Sequence, residues 1–337
     1  MQPNIAPAQY GSDQAGLICG YRFQPGQPGV EIDSASAAAG LQAAAFDGFL
    51  WLHFNLSHAL CEKWMRHNLG VPEAFFEALH EGSRSTRIEY ADDALVAVVN
   101  DVLYDFDFAA SDLATLWVHA DRRLLVTARA RPLRSVDKLR ASVRRGELFR
   151  SPTELLVHLL RDQADVLVQI VRETTARVDG IEDRLLSRRL HGNRADLGAL
   201  RRVLVRLQRL LAPEPGALFR LLNRPPRWLH GEDVQDLRQS TEEFAVVLDD
   251  LAALVERIKL LQEEIAATLN EQTNRSLFTL TVVTVLALPI NILAGLFGMN
   301  VGGVPLADHP HGFWLLVALV AGFTALAGLW AFRKRRE

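Results

Sequence analysis

Cysteine is nearly absent. The 337 residues hold two, Cys19 and Cys61, with no CxxC pair. That argues against a disulfide framework and against a Cys-based structural zinc site. Residues 1–24 lack a basic stretch followed by an apolar run. No signal peptide is therefore expected, and the soluble part is expected to stay in the cytoplasm. No Gly-rich phosphate loop and no nucleophile motif occurs, so neither enzymatic activity nor a cofactor is expected. Charge is missing in two places. The formal net charge of -3 hides this division: residues 1–276 are rich in charge, and the rest is mostly apolar.

Residues 277–297 form a 21-residue run without a charged side chain, and residues 313–332 form a second run of 20. At about 1.5 Å per residue each helix reaches roughly 30 Å, the thickness of a hydrocarbon core. One such run suits a buried core helix. Two in tandem with a short loop between them suit a pair of membrane spans. Arg275 precedes the first, and Arg333, Lys334, Arg335 and Arg336 close the second, while 298–312 holds no Lys or Arg. Basic flanks stay on the cytoplasmic side, so both termini are expected inside and the loop outside. The basic tail is read as an anchor on anionic lipid headgroups, not as a nucleic-acid patch. Two helices cannot enclose a pore, so a transporter built this way must form a closed ring of copies.

Residues 1–146 read as a mixed α/β domain. Strands are predicted at 16–23, 49–55, 86–90, 94–104, 113–119 and 124–128, helices at 34–46, 57–69 and 72–80, and a turn at 105–112. Residues 151–276 read as long helices and a stalk. Ser151-Pro152-Thr153-Glu154 is a capping box with Pro at the first helical position. The helix it opens is predicted to reach about residue 190. A second is predicted at 195–211, stopped by Pro213 and Pro215. From Glu232 no Pro or Gly intervenes until Pro289, so the last helix is predicted to continue into the first span, about 90–100 Å in all.

Stepping by seven along that helix gives Glu242, Asp249, Glu256, Glu263, Asn270, Leu277, Thr284, Asn291 and Gly298. The adjacent row gives Val246, Ala253, Leu260, Ala267, Asn274, Thr281, Leu288 and Gly295. The two rows share one face of a slightly supercoiled helix. Polar groups within a span face a bundle interior or water, so Asn274, Leu277, Thr281, Thr284, Leu288 and Asn291 are the candidate pore-lining set. Glu256, Glu263, Glu264 and Glu271 are either the cytoplasmic mouth of a cation path or the solvated side of a stalk. Phe244, Val247, Leu251, Leu254, Ile258, Leu261 and Ile265 form the opposite face, expected to pack on the helices of residues 151–211.

The first span ends in Ala294-Gly295-Leu296-Phe297, then Gly298-Met299-Asn300, and a second span and basic tail follow. This architecture resembles the CorA superfamily of metal-ion transporters. The continuation Val301-Gly302-Gly303-Val304-Pro305 resembles its zinc-transporting ZntB branch, and the acidic Met-Pro-Glu-Leu-like stretch of the magnesium branch is missing. The resemblance implies a homopentamer with a funnel-shaped cytoplasmic domain, the first span lining the pore and Gly298, Met299 and Asn300 forming its outer entrance. It implies that Asn300 offers its amide, and Gly298 its carbonyl, to an incoming hydrated cation, and that Leu277 and Leu288 are apolar constrictions. It also implies zinc uptake across the bacterial inner membrane with proton coupling.

Neither span contains His, Cys, Asp or Glu, the side chains that ligate zinc directly. A hydrated ion therefore fits the pore chemistry better than a stripped one, and no directly ligated structural metal site is expected. A proton site would have to lie at a mouth: Asp308, His309 or His311 outside, Glu263, Glu264 or Glu271 inside. Asp308, His309 and His311 are either a metal-capture cluster or ordinary loop residues. His53, His58, His67 and His80 fall on separate predicted elements and read as ordinary core or surface residues. A magnesium, cobalt or nickel channel of the same family is the alternative. A membrane-anchored sensor or enzyme without transport is the alternative from another class.

Overall fold

The computed structural model describes residues 11–42, 47–81, 86–91, 93–109, 112–186, 193–299, 305 and 309–334. It divides into two compact units, 1–261 and 262–337. The first begins with β1 (Leu17–Phe23), β2 (Val30–Ile32), α1 (Ser34–Gln42), β3 (Phe49–Asn55), α2 (Cys61–Asn68) and α3 (Glu73–His80). Four strands follow: β4 (Arg87–Ala91), β5 (Ala94–Val102), β6 (Leu113–Ala120) and β7 (Leu124–Arg129). Then come α4 (Arg134–Arg144), α5 (Pro152–Leu186), α6 (Asn193–Leu211) and α7 (Pro213–Leu222). The helix α8 (Gly231–Phe297) starts in the first unit and ends in the second, which also holds α9 (Gly312–Lys334).

The seven strands form one sheet in the order β2-β1-β3-β7-β6-β5-β4. Only β3 and β7 pair in parallel, with Leu52 opposite Val126, and every other neighbour is antiparallel. Both faces are covered, which explains strands such as β5 whose residues are all buried. On one face Leu50, Leu52, Phe54 and Val126 pack with Met65 of α2 and Phe75 and Phe76 of α3. On the other, Trp51, Val118 and Leu125 pack with Leu139 of α4, Leu156 and Leu160 of α5 and Leu218 of α7. A polar chain crosses the parallel seam. Trp51 Nε1 donates to Thr127 Oγ1 at 2.9 Å, His53 Nδ1 lies 2.8 Å from the same oxygen, and Arg129 Nε donates to His53 Nε2 at 3.0 Å.

The expected capping box is half formed. Glu154 N donates to Ser151 Oγ at 2.9 Å, while the Glu154 carboxylate accepts from Arg150 N instead of from Ser151 N. The expected stop before Pro213 and Pro215 is found, with α6 ending at Leu211, and Pro213 in addition opens α7. A proline at the first helical position forfeits a hydrogen bond that no partner could have made, so it starts a helix as readily as it ends one. Residues 43–46, claimed for the first helix, and 187–190, claimed for the long one, lie outside the described residues. Besides α7, two elements went unpredicted. β2 is three residues long, and α4 is so rich in Arg and Ser that its apolar stripe, Val136, Leu139 and Val143, is narrow.

Candidate ion pathway

The stretch of α8 before the apolar run is two-faced. Phe244, Val247, Leu251, Leu254, Ile258, Leu261 and Ile265 are all buried. They recur every three or four residues, the spacing of one helical face. Arg257 fastens this stretch to α5, with Nη2 2.7 Å from Asp179 Oδ1 and Nε 3.2 Å from Glu182 Oε1. Glu242, Asp249, Glu256 and Glu263 are exposed, and so are Val246 and Leu260, at 60% and 57%. Exposed leucine and valine beside carboxylates leave an apolar strip uncovered by the described residues. Glu256 pairs with Lys259 Nζ at 2.8 Å, while Glu263, Glu264 and Glu271 are exposed.

In the second unit α8 contains a window long and apolar enough to cross a membrane, none of it buried. The uncharged run predicted for 313–332 is helical throughout, within α9. Half-buried positions on α8 recur at Val282, Leu286, Pro289, Ile290, Leu293 and Phe297. Asn274, Leu277, Thr281, Thr284, Leu288 and Asn291 are all exposed. At about 100° per residue these six lie on the side of the helix opposite the half-buried stripe.

The hydroxyls in this row are oriented. Thr281 Oγ1 donates to Leu277 O at 2.8 Å and Thr284 Oγ1 to Leu280 O at 2.9 Å. Each hydroxyl hydrogen is thus spent on the helix's own carbonyl, and the lone pairs remain on offer. Gly298 ends the helix with its N–H on Ala294 O at 2.9 Å. A Cβ at that position would meet the same oxygen at 2.9 Å, which accounts for glycine there. Met299 is exposed. Asn300 and Asp308 lie outside the described residues. His309 Nδ1 accepts the His311 N–H at 3.2 Å, and the two rings stand 6.1 Å apart. Among the described residues no three His, Cys, Asp or Glu side chains come together in a metal-holding group.

His53 is a core residue of the seam, and burial together with Arg129 and Arg140 holds its pKa well below the usual imidazole value. His80 Nδ1 lies 2.8 Å from the Phe76 carbonyl of its own helix. Cys19 and Cys61 are both buried and free, and burial pushes each thiol up to about 12. One polar cluster had no sequence signal beyond two acids among apolar neighbours. Asp101 accepts from Ser135 N at 3.2 Å and from Ser135 Oγ, and burial raises its pKa to about 6. Gln163 Nε2 donates to Asn100 O at 2.7 Å and to Glu214 Oε2 at 3.3 Å. Glu214 is wholly buried, its Oε1 has no hydrogen-bond partner among the described residues, and desolvation raises its pKa to about 8.

The chain thus combines a two-sided mixed sheet, a long helix whose last part is apolar and exposed, a Gly-Met-Asn sequence and a second apolar helix. A match to the CorA-like Mg2+ transporter protein family spans residues 46–334. The chain belongs to that family of divalent-cation transporters. It is 29% identical to the divalent cation transporter CmaX of Pseudomonas aeruginosa, over 96% of this chain and 97% of the relative. It is 25% identical to the zinc transport protein ZntB of Pectobacterium atrosepticum, over 81% and 84%. Its fold matches the structure of full-length CmaX with a TM-score of 0.80 at 27% identity, over 97% of this chain and 100% of the other. It matches the CorA magnesium transporter of Methanocaldococcus jannaschii with a TM-score of 0.74 at 20% identity, over 94% and 96%.

Proposed function

We propose that this chain carries hydrated divalent cations, zinc foremost, across the bacterial inner membrane as a ring of five copies. The observation that carries the proposal is the exposed row Asn274, Leu277, Thr281, Thr284, Leu288 and Asn291, set opposite the half-buried stripe of α8. Lone pairs on Thr281 and Thr284 suit the outward-pointing hydrogens of a cation's water shell. The amide oxygens of Asn274, Asn291 and, at the entrance, Asn300 offer the same chemistry. Without carboxylate, thiolate or imidazole in either span, the ion keeps its water and is not trapped. Leu277 and Leu288 act as apolar rings that close by dewetting. Glu256, Glu263, Glu264 and Glu271 raise the local cation concentration at the cytoplasmic mouth.

Zinc is supported by the Val301–Pro305 continuation and by relatives named as zinc transport proteins. With no titratable group in either span, proton coupling falls to the mouths, at Asp308, His309 and His311 or at Glu263, Glu264 and Glu271. The basic flanks set both termini inside. Zinc, magnesium, cobalt and nickel flux into liposomes holding the purified protein, with and without a proton gradient, tests ion identity and coupling together. Asn300→Ala is expected to lose most of the flux while still assembling. Undiminished zinc uptake by that variant would remove Asn300 from the entrance.

A further inference from the structure

Building on the ring proposed above, we infer that the basic side of α6 docks on the acidic side of α8 in the next copy of this chain, the same contact recurring around the ring. α6 is two-sided. Leu200, Leu204, Leu207 and Leu211 are buried, and the opposite side exposes Arg202, Val205, Arg206 and Arg209. At about 100° per residue these four share one strip. No acid occurs from Leu197 to the end of the helix. Arg202, Arg206 and Arg209 have no ion pair or hydrogen bond among the described residues.

α8 carries the complement. Glu242, Val246, Asp249 and Ala253 are exposed along one side of it, and Glu242 and Asp249 also have no ion pair or hydrogen bond among the described residues. Each strip therefore sets apolar atoms beside charge of one sign, the pattern by which paired helices choose partners. Every copy holds one strip of each sign. A head-to-tail contact uses both in every copy, and such a contact closes into a ring when its rotation does. A foreign acidic partner on α6 would leave the α8 strip bare.

Direction and height agree with a second copy as the occupant. α5 starts beside α8, with Ser151 Oγ 2.9 Å from Asp233 Oδ2, and is still beside it where Arg257 Nη2 lies 2.7 Å from Asp179 Oδ1. The two helices thus run the same way. α6 returns along α5: Gly180 and Arg184 share a cleft with Asp196 and Leu200. Within one copy α6 is therefore antiparallel to this part of α8, and rotation about an axis along α8 preserves both direction and height. Counting back along α8 from Arg257, and onward along α6 from Leu200, places Arg209 within about one turn of Asp249 in height. Val205 comes within about one turn of Ala253.

The test uses two differently tagged full-length chains produced together, one carrying Val205→Cys and the other Ala253→Cys. Mild oxidation in membranes is expected to join them in a mixed disulfide-linked pair, and Val30→Cys, at an exposed position of β2, is expected to give none in place of Val205→Cys. Native mass spectrometry in detergent at low salt supplies the second readout. Arg206→Glu/Arg209→Glu, altered only at exposed positions, is expected to raise the fraction of single copies several-fold, and adding Glu242→Arg/Asp249→Arg is expected to restore the assembly. If the unaltered protein has the mass of a ring but no mixed pair forms, or the charge reversal leaves the fraction of single copies unchanged, the contact is overturned and the ring stands. A single-copy mass for the unaltered protein would overturn both.

Discussion

Glu214 is the side chain whose surroundings depart furthest from what its chemistry prefers. It is wholly buried, one oxygen has no partner among the described residues, and its pKa rises from 4.5 to about 8 through desolvation. The folded chain therefore keeps a proton that the unfolded chain gives up between those values. Its contribution to stability is complete below pH 4.5 and is lost as pH rises through 8. Asp101, raised from 3.8 to about 6, acts in the same direction over a lower window. Through these two groups, stability of the first unit should fall with rising pH, by at most about 1.4 kcal/mol per unit for each group. In Glu214→Gln the fall between about pH 6 and 8 should be shallower. Denaturation midpoints of the full-length protein at a series of pH values read this directly. Sequence alone could not single out Glu214, because an acid between two prolines looks like the end of a surface helix until α7 turns it inward.

At the scale of the element, α8 was the most legible part of the chain. Seven apolar positions named from periodicity are buried, and the acidic and apolar rows opposite them are exposed. The pattern could be read because a helix that packs on one side writes its period of 3.6 into the residue order. Removing a buried member should cost far more than removing an exposed one. Ile258→Ala, at a fully buried site, should lose about 2–5 kcal/mol. Leu260→Ala, at an exposed one, should stay within about 0.5 kcal/mol for the folded chain. Thermal unfolding of the two variants side by side checks the contrast. The boundaries in the first unit were less legible. The stop of α6 at Leu211 is where it was expected, but Pro213 also begins α7, since proline's constraint fits both roles and only the following Leu218, Leu221 and Leu222, buried in the core, mark the new helix. The strands were easier: every residue of β5 is buried and seven of its nine are apolar, because helices cover both faces of the sheet.

The whole molecule raises the question of what covers the face of α8 that this chain leaves bare. If copies gather around that face, a cysteine on it should cross-link to its counterpart. Thr284→Cys is expected to give disulfide-linked pairs under mild oxidation in membranes, and Val282→Cys, on the half-buried stripe, is expected to give few. Cys19 and Cys61 will not compete, being buried with thiols pushed up to about 12. Non-reducing electrophoresis separates the outcomes, and equal cross-linking at both positions would argue against a pore lined by the Thr284 row.

The single parallel pairing in the sheet has a consequence for the order of assembly. β4 to β7 follow one another as a meander and can zip up from neighbours in sequence, whereas β3 must wait for β7 across α2, α3 and three intervening strands. Closing so long a loop is entropically the slow step. A growing chain that has made β3 but not β7 therefore carries an unpaired strand edge in what will become the middle of the sheet, where it can pair with the wrong partner. The polar contacts of Trp51, His53, Thr127 and Arg129 then act as a register mark: a slip by one residue would strand them among apolar neighbours, so the late-arriving strand has one place to settle.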